Sequence, residues 1–271
     1  MYKIIACDLD ETLLNDNHKV STRNIEAIKR ARALGVKFVP ATGRGFTSVS
    51  STLEELQLLD SDNEFVISFN GGAITENKNN RLLHFEGITF GKASELFRRG
   101  LNYNVGIRVY TKDNVYAYNY TDEEKQYSST RMKITEIFDT NIDFLKGQEI
   151  VKVLYINTDY NYLKGIENDL RDILNDMNVT YSSNRYIEFN HSGVDKGTGL
   201  LTLAKLLHVD PKDTIAIGDN YNDLSMIKCA GLGVYVANAV EELKQHADYV
   251  TTTTNNEGAV AEVIEKFILN K

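Results

Sequence analysis

The sequence predicts an α/β protein: a doubly wound, Rossmann-like parallel sheet interrupted by an inserted α+β domain. Three observations carry this prediction. The first 80 residues alternate short apolar runs with helical spacing, and the stretch from about residue 81 to 186 turns tyrosine-rich with strand-like alternation. After Asn190 the strand-helix alternation returns. The expected division is 1–82 with 188–271 for the core, and 83–187 for the insertion.

Ile4-Ile5-Ala6-Cys7 is an apolar run that ends in acids, as a buried parallel strand would. Ser21 can cap a helix whose apolar positions are Ile25, Ile28, Ala31 and Leu34, with Gly35 as its stop. Val36 to Val39 reads as the second strand, a helix is expected from about 47 to 59, and Phe65 to Phe69 reads as the third strand. Asn70-Gly71-Gly72 then forms a turn. This βαβαβ order calls for parallel strands with right-handed crossovers. In the middle, Val105–Thr111 and Val115–Tyr120 predict a hairpin, and Glu149–Asn157 a further strand. A helix over about 160–177 and strands near 179–182 and 186–189 follow. The tyrosines are read as sheet packing, and none is given a role. The last third predicts a helix over 197–207, the strand Thr214–Gly218 and a final helix over 258–269.

The chain has 271 residues, 42% hydrophobic and 25% charged, with a net charge of −8. That balance argues against a general nucleic-acid surface and leaves an anionic substrate in need of local positive charge. No apolar run approaches the roughly 20 residues of a membrane helix, and the N-terminus reaches a charge too early for a signal peptide. The two cysteines, Cys7 and Cys229, sit in apolar stretches and read as reduced core thiols. The expectation is a cytoplasmic protein, a monomer or weak homodimer, with neither nucleic-acid nor membrane partners.

Four short segments carry chemistry. Asp8 and Asp10 are two apart after a strand, so both carboxyl groups can face one site at the carboxyl edge of the sheet. Thr42-Gly43-Arg44 ends the second strand and offers a hydroxyl and open backbone amides to phosphate oxygens. Arg44 has two equal readings, a substrate contact or a surface ion pair. Lys196, just before a helix, can neutralise charge on a phosphoryl group. Asp219 follows a buried strand, and Asn222 and Asp223 stand at the next helix start.

Taken in order, Asp8-Leu9-Asp10-Glu11-Thr12, Thr42-Gly43-Arg44, Lys196 and Gly218-Asp219-x-x-Asn222-Asp223 resemble the four motifs of the haloacid dehalogenase (HAD) superfamily of phosphatases. The chain looks like its Cof-type branch, with an α/β cap between the second and third motifs. Asn70-Gly71 and Val236-Ala237-Asn238-Ala239 support the match, which spans both ends of the chain. Glu11 stands where glycine is common and Gly72 where alanine is common; neither touches the catalytic positions.

The resemblance implies a Mg²⁺-dependent phosphatase of small phosphorylated metabolites such as sugar phosphates or phosphorylated cofactors. It implies Asp8 as nucleophile, forming an aspartyl-phosphate, and Asp10 as acid and then base. The metal set is Asp8, Asp219 and the backbone carbonyl of Asp10. Leu9, Thr42, Gly43, Arg44, Lys196 and Asn222 are the phosphate-binding set, with Thr12, Asn70 and Asp223 behind them. Asp223 would orient Lys196 or a metal-bound water. Substrate choice falls to the inserted domain. A hexose-phosphate mutase and a phospho-acceptor signalling module remain as alternatives. Isomer formation would mark the first, and a long-lived adduct without turnover the second.

Overall fold

The structure is a computed structural model that describes residues 1–128, 133–182 and 185–270. In chain order the elements of the first stretch are β1 (Ile4–Cys7), α1 (Thr22–Ala33), β2 (Lys37–Pro40), α2 (Ser50–Glu55), β3 (Phe65–Ser68), β4 (Ala73–Glu76) and β5 (Arg81–Phe85). The middle holds α3 (Phe90–Gly100), β6 (Gly106–Thr111), β7 (Val115–Tyr118), α4 (Asp122–Ser128) and β8 (Ile134–Ile137). It continues with β9 (Ile150–Ile156), α5 (Tyr160–Asp169), β10 (Met177–Ser182) and β11 (Tyr186–His191). The last stretch is α6 (Lys196–Leu206), β12 (Thr214–Gly218), α7 (Leu224–Cys229), β13 (Leu232–Tyr235), β14 (Tyr249–Val250) and α8 (Ala259–Ile264).

The chain divides into two units, 1–85 with 195–271, and 86–194. The break read from the sequence at 187/188 falls inside β11, which pairs with β9 and β10 and so stays in the second unit.

In the first unit a parallel sheet runs in the order β14-β13-β12-β1-β2. Its central strands β1, β12 and β13 are apolar apart from Thr214 and buried throughout, as a sheet covered on both faces requires. From β1 the chain moves one way to β2, and from β12 the other way to β13. Right-handed crossovers therefore put α1 and α7 on opposite faces. α8 packs with α1, and α6 with α7. The point where the order reverses, between β1 and β12, is where such sheets bind ligands.

Local signals explain most boundaries. Ser21 caps α1 by accepting from the Asn24 amide at 3.2 Å, and Gly35 leaves the helix with φ of 84°. Buried Asn24 ties three elements together: its amide donates to Leu13 O at 3.4 Å, and its oxygen accepts from Ala261 N at 2.9 Å. The third strand departs from a simple βαβαβ sheet. β3 touches the parallel sheet through one bridge, Ala41 to Ile67, and otherwise turns into an antiparallel hairpin with β4 and then β5. The helix expected over 47–59 is only Ser50–Glu55, preceded by a separate 3₁₀ turn over Phe46–Ser48.

The second unit is a six-stranded sheet in the order β10-β11-β9-β6-β7-β8, antiparallel except for the β7-β8 pair. One face carries an apolar cluster with Leu96, Phe97, Val109, Tyr155, Leu163 and Phe189. α3 was not foreseen. Thr89 caps it, and Ala93, Leu96, Phe97 and Gly100 form its buried stripe. The helix expected over 160–177 stops at Asp169. Leu170 and Ile173 keep helical spacing and stay buried, but the chain passes through a tight turn there before β10. Among the described residues, no helix is long and apolar enough to cross a membrane.

Candidate active site

The carboxyl ends of β1, β2 and β12 and the start of α6 deliver the predicted residues to one place. Asp8 follows β1 directly, and its amide donates to Ile217 O of β12 at 2.9 Å. The chain then turns through Leu9–Leu13, with Glu11 at φ of 60° and the Leu14 amide closing onto Leu9 O at 2.8 Å. Asn238 fixes this loop from outside by donating to Glu11 O at 2.8 Å. Asn255 adds a second tie by donating to Leu14 O at 3.0 Å.

Lys196 is fully buried at the first turn of α6. Its Nζ donates to Asp8 Oδ1 and, at 2.6 Å, to Asp223 Oδ1. Its position depends on close packing of small residues. A side chain at Gly71, which has φ of 101°, would overlap Asp195 O, and one at Gly197 would stand 2.7 Å from Ser225 O. Asp195 caps α6 by accepting from the Thr198 amide at 2.8 Å.

Asp223 is spent on both sides: Oδ1 on Lys196, and Oδ2 on the amides of Asp219 and Asn220 at 3.0 Å each. Asp219 Oδ1 accepts from buried Thr12 at 2.8 Å. Oxygens of Asp8, Asp219 and Asp223 all lie within 4.8 Å of one another. Three carboxylates against one ammonium leave two negative charges in a buried space. Burial, first of all, holds Asp8 well above the usual carboxylate range despite the opposing Lys196 charge. Burial and the Asp223 charge push Asp219 up to about 6. Burial disfavours charged Lys196, but the carboxylates of Asp223 and Asp8 outweigh it and hold its pKa above the ordinary lysine value. A hard divalent cation takes oxygen ligands and would relieve this excess, so the donor set fits one. Asp8 and Asp219 are the members with one oxygen that accepts no hydrogen bond among the described residues, whereas both oxygens of Asp223 are taken.

Thr42 is buried after β2, and its hydroxyl accepts from the Arg44 amide at 3.1 Å. Thr42 O accepts from the Asn70 amide at 2.9 Å, and Asn70 Oδ1 accepts from Asn222 at 3.3 Å. Gly43 leaves space beside the Asn70 amide group, 3.2 Å from where its Cβ would be. The Arg44 guanidinium forms a two-bond pair with the half-exposed Asp10 carboxylate, Nε to Oδ2 at 3.0 Å. Asp10 therefore stands away from the three-aspartate cluster, and its carboxylate is not among those converging oxygens. Leu9 is buried within the loop. The sequence reading missed Gly71 and Gly218 as positioning elements, although both stood inside the quoted motifs, and Asn255 carried no signal at all.

Residues 5–264 match the family model of haloacid dehalogenase-like hydrolases. The chain is 32% identical to YxeH of Bacillus subtilis (strain 168), over all of both chains. It is 30% identical to the 5-amino-6-(5-phospho-D-ribitylamino)uracil phosphatase YcsE of the same organism, over 98% of this chain and 96% of that one. A haloacid dehalogenase-like hydrolase from Bacteroides thetaiotaomicron superposes with a TM-score of 0.86 at 32% identity, covering 98% and 99% of the two chains.

Proposed function

Because the chain belongs to the haloacid dehalogenase-like hydrolases and is a phosphatase, we propose that it hydrolyses small phosphorylated metabolites through Asp8, with Mg²⁺ as its cation. The observation that carries this is the convergence of Asp8, Lys196, Asp223 and Asp219 at the reversal point of the sheet. Asp8 attacks phosphorus and forms an aspartyl-phosphate, while the ester oxygen leaves with a proton from Asp10. Water then attacks the aspartyl-phosphate, Asp10 takes its proton, and inorganic phosphate departs. Lys196 offsets the repulsion between the carboxylate and the anionic ester. Thr42, Gly43 and Asn222 hold phosphoryl oxygens, with Asn70 behind Asn222. Asp8 and Asp219, with the Asp10 carbonyl, would hold the cation, which would supply further positive charge against the phosphoryl group. The Arg44 pair holds the Asp10 carboxylate in place, and the proton transfers at Asp10 require that pair to open.

Substrate choice is assigned to the second unit. The name of the relative YcsE puts phosphorylated ribitylaminouracil on the test panel beside sugar phosphates. The experiment is phosphate release from that panel by purified wild-type protein and Asp8→Asn, with Mg²⁺ or with chelator. Loss of turnover in Asp8→Asn and in chelator, with folding intact, is expected. Turnover retained by Asp8→Asn would overturn the assignment of the nucleophile.

A further inference from the structure

The second unit buries charge that its apolar cluster does not need. Alternation along β6, β9 and β11 puts Val109, Val153 and Phe189 on the clustered face and Arg108, Lys152 and Glu188 on the other. Lys152 is matched by Glu188. Arg108 is not matched one for one.

Its Nη2 donates to Glu124 Oε2 at 2.7 Å and to Ser128 Oγ at 3.2 Å. The same Glu124 carboxylate accepts from Arg185 Nη1 on Oε1 at 2.5 Å and from the Tyr186 hydroxyl on Oε2 at 3.2 Å. Two guanidinium groups and a phenol thus share one carboxylate of α4. Glu123 approaches Arg185 at 3.4 Å from solvent, where its side chain is 71% exposed and its charge counts for little. Arg108 is only 2% exposed, and its Nε is buried without a hydrogen-bond partner among the described residues. Such a donor is costly to leave unmade. The Tyr120 and Tyr186 rings stand 5.5 and 5.6 Å from the Arg108 guanidinium, and the Tyr127 ring 4.2 Å from that of Arg185.

A carboxylate has two oxygens, and Glu124 spends one on each arginine. A tetrahedral oxyanion has enough oxygens to take the Nε–Nη2 edge of Arg108 in two bonds and still reach Arg185 and Tyr186. The geometry points to an oxyanion site at Arg108, Arg185 and Tyr186 that Glu124 fills as a stand-in and that a phosphoryl group, free phosphate or a phosphate monoester, takes by displacing it. This site lies wholly within the second unit and does not draw on the reaction at Asp8.

The test is nuclear magnetic resonance of the arginine Nε–H groups in the full chain, with chelator present and ionic strength held constant with chloride. The Arg108 signal is assigned from Arg108→Lys or from contacts to the Tyr120 and Tyr186 rings. Inorganic phosphate and ethyl phosphate are titrated separately. A saturable shift of the Arg108 signal is expected, and its dependence on the two anions tells which source fills the site. Glu124→Gln, which removes the competing charge, should lower the half-saturating concentration about tenfold. Arg185→Gln, at a more exposed position, should raise it by a similar factor. No response at Arg108 to either anion in both wild type and Glu124→Gln, or an undiminished response in Arg185→Gln, overturns the proposal.

Discussion

Gly218 and Asp223 share one space: a Cβ on the last residue of β12 would overlap the Cβ and carboxyl group of Asp223. The missing side chain lets Asp223 fold back over the strand end, where it holds the amides of Asp219 and Asn220 with one oxygen and Lys196 with the other. Gly218→Ala should therefore push Asp223 off both partners. The expected cost is about 1–3 kcal/mol in urea unfolding, with a fall in turnover larger than the stability loss accounts for. Wild-type turnover in this variant would show that the Asp223 contacts do not position Lys196.

Removing the only ammonium from the cluster should be severe. Lys196→Met leaves Asp8, Asp219 and Asp223 facing one another in a buried site, and a loss of about 3–5 kcal/mol is expected. Lys196→Arg keeps the charge and separates folding from chemistry. It should unfold at a midpoint closer to wild type while turnover drops about 10²-fold or more, the scale of one transition-state contact.

The raised pKa of Asp219 has a definite sign. Its folded value of about 6 lies above the ordinary 3.8, so the folded state holds this proton more tightly than the unfolded chain does. Its contribution is absent below about pH 4, grows as a destabilising effect between about pH 4 and 6, and is complete above that. In chelator, Asp219→Asn should be about 1–3 kcal/mol more stable than wild type at pH 7.5, and no different at pH 4. Added Mg²⁺ should reverse that order at pH 7.5, because only the wild type gains a ligand-bound form. Equal stability of the two proteins across this range in chelator would refute the linkage.

The pair of Arg44 with Asp10 is partly exposed and should matter little to folding. Arg44→Gln is expected to cost under about 1 kcal/mol. Its effect should appear instead in kcat, since the pair fixes where the Asp10 carboxylate stands. An unchanged kcat would leave Arg44 as an ordinary surface charge.

Backbone-local signals were legible in the sequence and long-range ones were not. The Ser21 cap, Gly35 and the apolar run before Asp8 give α1 and β1 almost to the residue, because each rests on neighbours within one turn. The partners of Lys196 could be inferred only by resemblance, since Asp8 is 188 residues away and Asp223 comes from another turn. The sequence could not show that Arg44 meets Asp10, nor that β3 would leave the parallel sheet after one bridge. It overran at Leu170 and Ile173 because side-chain burial continued with helical spacing after the backbone had stopped being helical. The stripe of α3, Ala93, Leu96 and Phe97, is short and borders tyrosine-rich strands, so its helical spacing does not stand out in the sequence.

The central placement of β1 also sets a timetable for synthesis. β1 is made well before one of its two neighbours: β12 comes some two hundred residues later, after the whole second unit. At roughly 5–20 residues per second, a ribosome needs roughly 10–40 s to deliver that neighbour. During that interval the nascent chain carries an apolar strand with one edge unpaired, while the 86–194 unit is already complete enough to fold. The order of strands in the sheet, rather than its final stability, thus sets how long this edge stands open during translation.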